Sequence, residues 1–158
     1  MRLQSALALA VSILICLGAA GLGSRFTTPA IGSWYLALRK PAWNPPNWVF
    51  APVWTLLYLS MGTAAWLVWR RAGISGAKLA LGLFALQLVL NVGWPAIFFA
   101  ARRPGWAFLE IIILWLAILA TTLSFHAVWP AAGWLMAPYL AWVSFAATLN
   151  YAIWMLNG

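Results

Sequence analysis

The chain has 158 residues, of which 66% are hydrophobic and 6% charged, against about 25% charged in an ordinary soluble domain. So few charges cannot shield the apolar surface of a 17.3 kDa chain from water, which excludes a soluble globular enzyme, a disordered chain and a nucleic-acid-binding domain. The net charge of +8 comes from cations placed singly or in pairs between long apolar runs, the pattern of a polytopic membrane protein and not of a nucleic-acid-binding stripe.

A bilayer core needs roughly 20 apolar residues per helix. Five segments meet that length: about Leu3 to Gly23, Trp48 to Trp69, Leu79 to Ala101, Gly105 to Phe125 and Ala131 to Leu156. The runs are continuous and do not alternate as barrel strands do. The fold class is therefore all-α, a single bundle of five transmembrane helices over residues 1–158. The first segment carries Arg2 and the small residues Gly18, Ala19 and Ala20, as a signal peptide would. Its near-spanning length favours a true helix. The connections after the second, third and fourth segments are short, so neighbouring helices run antiparallel. Arg2, Arg70, Arg71 and Lys78 fall at one membrane face, and Arg25, Arg39, Lys40, Arg102 and Arg103 at the other. That near-even split sets no orientation.

The first connection, Ser24 to Asn47, is the exception. Bundle connections usually run about 2–8 residues. This one is long and rich in Pro and Trp, including Trp34, Pro41, Trp43, Pro45 and Pro46. Its prolines restrict the backbone, so an ordered loop is expected. Two roles fit: an aromatic belt at the headgroups, or a lid over a cavity.

Thirteen tryptophans are too many for interfacial belts alone. Trp54, Trp66, Trp94, Trp115 and Trp142 lie inside spans, where they either pack the core or line a cavity for a large flat apolar ligand. Trp54 and Tyr58 share one helix face. Gln87, Asn91, Trp94 and Phe98 share another. The buried amides of Gln87, Asn91 and Asn150 serve helix–helix hydrogen bonds or a ligand. Pro52, Pro95 and Pro138 fall within spans and should kink them. Gly18-x-x-Gly21 and Gly76-x-x-x-Ala80 permit close helix approach. Glu110, the one acid, is expected to pair with Arg102 or Arg103, or to anchor its helix at the interface. His126 is expected at the other interface. With Cys16 as the one cysteine, neither a disulfide framework nor a metal site can be assembled, and no cofactor is required.

The run WYLALRKPAWNPPNWVFAPVW, Trp34 to Trp54, continues to Tyr58, Met61 and Gly62. With QLVLNVGWPAIFF from Gln87 to Phe99, Arg102-x-x-Gly105-Trp106-Ala107, and Pro138-Tyr139-Leu140-Ala141-Trp142 through Leu149-Asn150-Tyr151, it resembles the TspO/MBR family. That family takes in the tryptophan-rich sensory proteins of bacteria and the mitochondrial translocator protein, or peripheral benzodiazepine receptor. The resemblance spans about residues 20 to 156. It implies a five-helix receptor or sensor for protoporphyrin IX and related tetrapyrroles, with sterols, lipids and benzodiazepine-type compounds as further ligands. It implies a cavity under the first loop, between the first, second, third and fifth spans and the start of the fourth. Carried over by position, the ligand-binding residues are Trp54, Asn91, Trp94, Trp106, Trp142, Ala146 and Leu149, with Trp43 and Tyr58 on the same motif. It also implies a homodimer in a membrane, bacterial by the lack of a transit peptide. An alternative activity, light-dependent degradation of protoporphyrin IX, would use Trp54 and Trp142. A third, export, has little support, since one acid offers no proton relay. The sterol motif of the mammalian branch is broken here: Leu149 and Tyr151 are present, but Met155 stands in place of its basic residue.

Overall fold

The long apolar runs close all their backbone hydrogen bonds internally, as hydrocarbon demands. In the computed structural model, which describes residues 2–158, they form five spanning helices and one short one. The elements are α1 (Arg2–Ile31), α2 (Trp34–Ala37), α3 (Asn47–Gly76), α4 (Lys78–Pro95, continued by a π-helical turn at Ala96–Ala100), α5 (Pro104–Val128) and α6 (Pro130–Asn157). All five long helices are apolar enough to cross a membrane. This is an integral, multi-pass membrane protein. Around the bundle the order is α1, α3, α6, α5, α4 and back to α1.

Two boundaries and one internal turn differ from the sequence expectation. First, α1 runs on past Gly23 to Ile31. The polar residues there do not break it, because their hydroxyls bond back to the helix: Ser24 Oγ donates to the Gly21 carbonyl (2.9 Å) and Thr27 Oγ1 to that of Gly23 (3.1 Å). The first connection shrinks to residues 32–46, with α2 inside it. Second, helical structure covers most of Arg70 to Lys78. The break falls at Gly73, whose φ of 66° and ψ of 178° favour glycine. Third, α4 ends in a π turn directly after Pro95, with Ala101 N–H donating to the Ala96 carbonyl at 2.9 Å. Proline's missing N–H and the wider turn act together there. Pro104 and Pro130 each occupy the first turn of a helix, where a missing N–H costs nothing.

The close approach of α1 to α3 is made at Gly62, not at Gly18 or Gly21. A Cβ on Gly62 would lie 2.9 Å from the Ile13 Cα, whereas one on Gly18 or Gly21 would meet nothing within 4 Å. Ser12 Oγ donates to the Gly62 carbonyl at 2.7 Å, and Trp66 Nε1 to that of Ser5 at 2.9 Å. Both bonds tie the first half of α1 to the second half of α3. At the interface, Arg70 lies over the Trp66 ring (5.2 Å) and Arg71 over Trp129 (5.9 Å).

The core divides in two. A large cluster holds Met61, Phe84, Ile118, Tyr139 and their neighbours. A smaller one under the first connection holds Tyr35, Phe98, Phe99, Ala107, Leu149 and Ile153.

Candidate ligand cavity

Between the two clusters lies a cavity of about 480 Å³, within the usual range of roughly 300–1,000 Å³ for small-molecule sites. Its lining comes from both clusters: Tyr35, Phe98, Phe99, Leu149 and Ile153 from one, Tyr58, Ile111, Leu114 and Val143 from the other. Among the described residues, no charged side chain lines it.

Of the residues singled out in the sequence, Trp54, Tyr58, Asn91, Trp94, Trp142, Ala146 and Leu149 all line this one space. Two do not. Trp106 is 65% exposed and sits in a separate surface groove with Arg102, Arg103 and Trp154. Trp43 is 50% exposed and packs edge-on against Phe145, 5.8 Å between ring centroids. The fourth span contributes its middle, through Ile111 and Leu114, and not its start. The interior tryptophans divide as well. Trp66 and Trp115 are structural pins, the latter donating to Ser144 Oγ at 2.7 Å.

The floor is held by a buried polar chain. Tyr58 OH donates to Asn91 Oδ1. Asn91 Nδ2 donates to Tyr139 OH at 2.6 Å, and Tyr139 OH donates to Gln87 Oε1 at 2.8 Å. Gln87 Nε2 points at the Met61 sulfur, 3.8 Å away. Gln87 thus serves helix association, while Asn91 faces both the network and the cavity. Trp94 Nε1 donates to Asn150 Oδ1 at 2.9 Å, and Asn150 Nδ2 to the Pro104 carbonyl at 2.8 Å, so α4, α5 and α6 are joined on one wall. Tyr139 was not marked as a site residue. The signal for it was its position three residues before Trp142, on the same face of α6.

The aromatic walls are ordered by mutual packing. Trp94 stacks on Phe98 (4.9 Å, 23°), Trp54 on Tyr58 (5.6 Å, 32°), and Trp142 packs against Phe50 and Phe145. One group on these walls is unsatisfied: the buried Trp142 Nε1 has no hydrogen-bond partner. A buried donor without a partner costs about 1–3 kcal/mol.

The first connection closes one end. Tyr35 is buried, lines the cavity, and donates through its OH to Asn44 Oδ1 (3.3 Å). Burial raises its phenol above the ordinary range, and the Asn44 bond offsets part of that rise. Lys40 lies over the Tyr35 ring at 4.6 Å. A reciprocal pair fastens the far side: Arg39 N–H donates to Asn157 Oδ1 (3.0 Å) and Asn157 Nδ2 to the Arg39 carbonyl (2.9 Å). Asn157→Ala removes both bonds, at about 0.5–1.5 kcal/mol each. Amide hydrogen exchange over residues 38–46 should quicken by several-fold, with the melting temperature nearly unchanged. Unaltered exchange would mean that Tyr35 and Lys40 alone hold the loop.

The expected ion pair of Glu110 is not formed. Both carboxylate oxygens are buried without a hydrogen-bond partner. The side chain turns to α4, where Oε1 would lie 3.3 Å from a Cβ on Gly93. Arg102 and Arg103 precede the helix, with Arg102 in a left-handed conformation at φ 54°, and both are exposed. His126 packs its Cβ against Gly133 and its ring edge-on to Trp134 at the helix end.

The sequence pattern of the TspO/MBR family matches residues 11–155. This chain belongs to the TspO/MBR family. It is 46% identical to the human protein named translocator protein over 138 residues, covering 86% of this chain and 82% of the human one. The tryptophan-rich protein TspO of Chlorobaculum tepidum is 43% identical over 155 residues, 96% of each chain. The tryptophan-rich sensory protein of Cereibacter sphaeroides is 39% identical over 141 residues, 87% of each. The TspO/MBR motif residues of this chain fall on the cavity wall, in the loop above it, at the start of α5, and in the packed core, where Met61, Gln87 and Tyr139 are fully buried.

Proposed function

We propose that the protein is a membrane receptor or sensor that holds a porphyrin, protoporphyrin IX or a related flat tetrapyrrole, in the cavity under the first connection. The observation that carries this reading is the charge-free aromatic chamber walled by Trp54, Trp94 and Trp142. Large ring faces suit a flat macrocycle. The relatives' names, translocator protein and tryptophan-rich sensory protein, agree with a receptor or sensor.

The test is a titration of the purified protein with protoporphyrin IX in the dark, followed by tryptophan quenching. Saturable quenching that weakens about tenfold or more in Trp142→Phe and Trp54→Phe is expected, for a loss of ~1.4 kcal/mol of binding. Quenching that never saturates, or that ignores both substitutions, overturns the reading. Stability separates binding from folding here. Trp142→Phe deletes a donor that has no partner, so it should leave the melting temperature unchanged or raise it. Trp94→Phe strands Asn150 Oδ1 and should cost about 1–2 kcal/mol.

A second reading, light-dependent breakdown of the bound porphyrin, is favoured by one observation: Trp54 and Trp142 line the same cavity. Illumination of the complex distinguishes the two. A receptor returns the porphyrin spectrum unaltered. An enzyme yields a new absorption band that neither variant makes.

A further inference from the structure

We infer that the cavity fills from the bilayer, through a lengthwise slot between α1 and α3. The inference rests on the cavity being the ligand site. A residue that lines an interior space and is also exposed stands at its opening. Seven such residues form two facing rows: Leu17, Gly21, Ser24 and Thr28 on α1, and Asn47, Ala51 and Thr55 on α3. Their spacings, i, i+4, i+7, i+11 and i, i+4, i+8, each keep to one helix face. At about 1.5 Å per residue the rows run roughly 12–17 Å along the helices. An opening of that length and direction faces lipid, whereas an entrance at the bundle end would be edged by chain termini and loop.

The contacts between α1 and α3 explain why the slot exists. The ties between the two helices, Ser12 to Gly62, Trp66 to Ser5, and the close approach of Gly62 to Ile13, all lie in their other half. Above them α1 leans instead on α4, where a Cβ on Gly23 would touch the Pro95 ring at 3.5 Å. The upper parts of α1 and α3 therefore diverge around the cavity. The end of the bundle is closed by Tyr35 and by the Asn157 clamp. Two hydroxyls of the rim are committed: Ser24 Oγ and Thr55 Oγ1 donate to carbonyls of their own helices, at 2.9 and 2.8 Å. An apolar ring face passes them without stranding a donor.

The experiment uses full-length protein in liposomes that already contain protoporphyrin IX, with tryptophan quenching followed in time. Leucine at the slot raises the barrier in both directions alike. Gly21→Leu and Ala51→Leu should each slow association and dissociation by about tenfold. Space beside Gly21 is open, so the first variant should fold. Asn157→Ala should leave both rates near wild type. Leucine variants with wild-type rates, or an Asn157→Ala variant that speeds both, would overturn the slot and place entry under the loop. A second arm needs no porphyrin: Ala146→Cys, on the cavity wall, is labelled by bilayer-dissolved N-phenylmaleimide, with Cys16 fully buried and silent. Ala51→Leu should slow that labelling, and an unchanged rate counts against the slot. If wild type shows no saturable porphyrin binding, the proposed function fails while this arm still decides the route.

Discussion

Asn91→Leu should be among the most damaging single substitutions in this protein. Leucine matches the volume but removes an acceptor and a donor at once. Tyr58 loses the acceptor for its O–H, and Tyr139 loses the N–H that binds its oxygen. Tyr139 and Gln87 are fully buried, so no water replaces the N–H that Tyr139 loses. Each stranded group costs about 1–3 kcal/mol in a protein interior, while hydrogen bonds between membrane helices average nearer ~0.6 kcal/mol. The four-residue chain, Tyr58, Asn91, Tyr139 and Gln87, is continuous and its members hold one another in place, which favours the upper figure. A loss of about 2–4 kcal/mol follows, or roughly 5–15 °C in melting temperature at the ~2–4 °C per kcal/mol of a domain this size. Tyr58→Phe trims only the end of the chain and should cost well under half as much. A drop below about 1 kcal/mol for Asn91→Leu would show that the phenols find other partners and that the network is not what shapes the cavity floor.

Gly133→Ala should cost at least as much, for a steric reason. The α5–α6 turn is so tight that a Cβ at 133 would lie 2.5 Å from the His126 Cβ, 2.8 Å from its Cα and 2.9 Å from its Nδ1. A flexible side-chain tip could swing aside, but Cα and Cβ belong to the frame of α5. The helix pair must separate there, and these two helices have the most extensive contact in the bundle. Overpacking of this kind costs about 1–3 kcal/mol and more where backbone is involved. The expected readout is loss of folded protein on size-exclusion in detergent or a melting temperature at least as low as that of Asn91→Leu. Adding His126→Gly removes the 2.5 and 2.9 Å contacts but leaves the 2.8 Å contact with Cα, so rescue should be partial. Wild-type stability of Gly133→Ala would mean that the turn relaxes freely.

The spans were legible because hydrocarbon leaves one solution for a long apolar run, and the interior aromatics of α3, α4 and α6 were legible because large side chains mark a face. Other features had no such mark. The α1 wall of the cavity is built from Gly21, Ser24, Thr27 and Thr28, small residues that in a membrane helix look like filler. The end of α1 was misplaced because hydroxyls bonded to their own helix have the composition of a loop. Trp43 belongs to the same motif block as the wall residue Trp54, and Trp106 to a block of its own, and pattern alone does not separate a ring that faces the cavity from one that faces outward. Glu110 is near Arg102 in sequence, yet six residues into α5 its side chain has turned onto α4. Sequence distance measured along a helix does not give direction.

The π turn at Ala96–Ala100 holds one residue more per turn than the α-helix around it. Such a turn is what a helix looks like after it has absorbed a single-residue insertion without lengthening its neighbours. Its history can be run backwards: deleting Ala96 would let the segment close as ordinary α-helix and keep the reach of the span. The residues after the cut would keep nearly their present phase, since five residues of the wider turn and four of an α-helix sweep about the same arc. Phe98 and Phe99, which seat Tyr35 and the loop, would go on facing the cavity. One spare residue in a helix is thus taken up locally, and the phase in which two ring systems meet the first connection survives it.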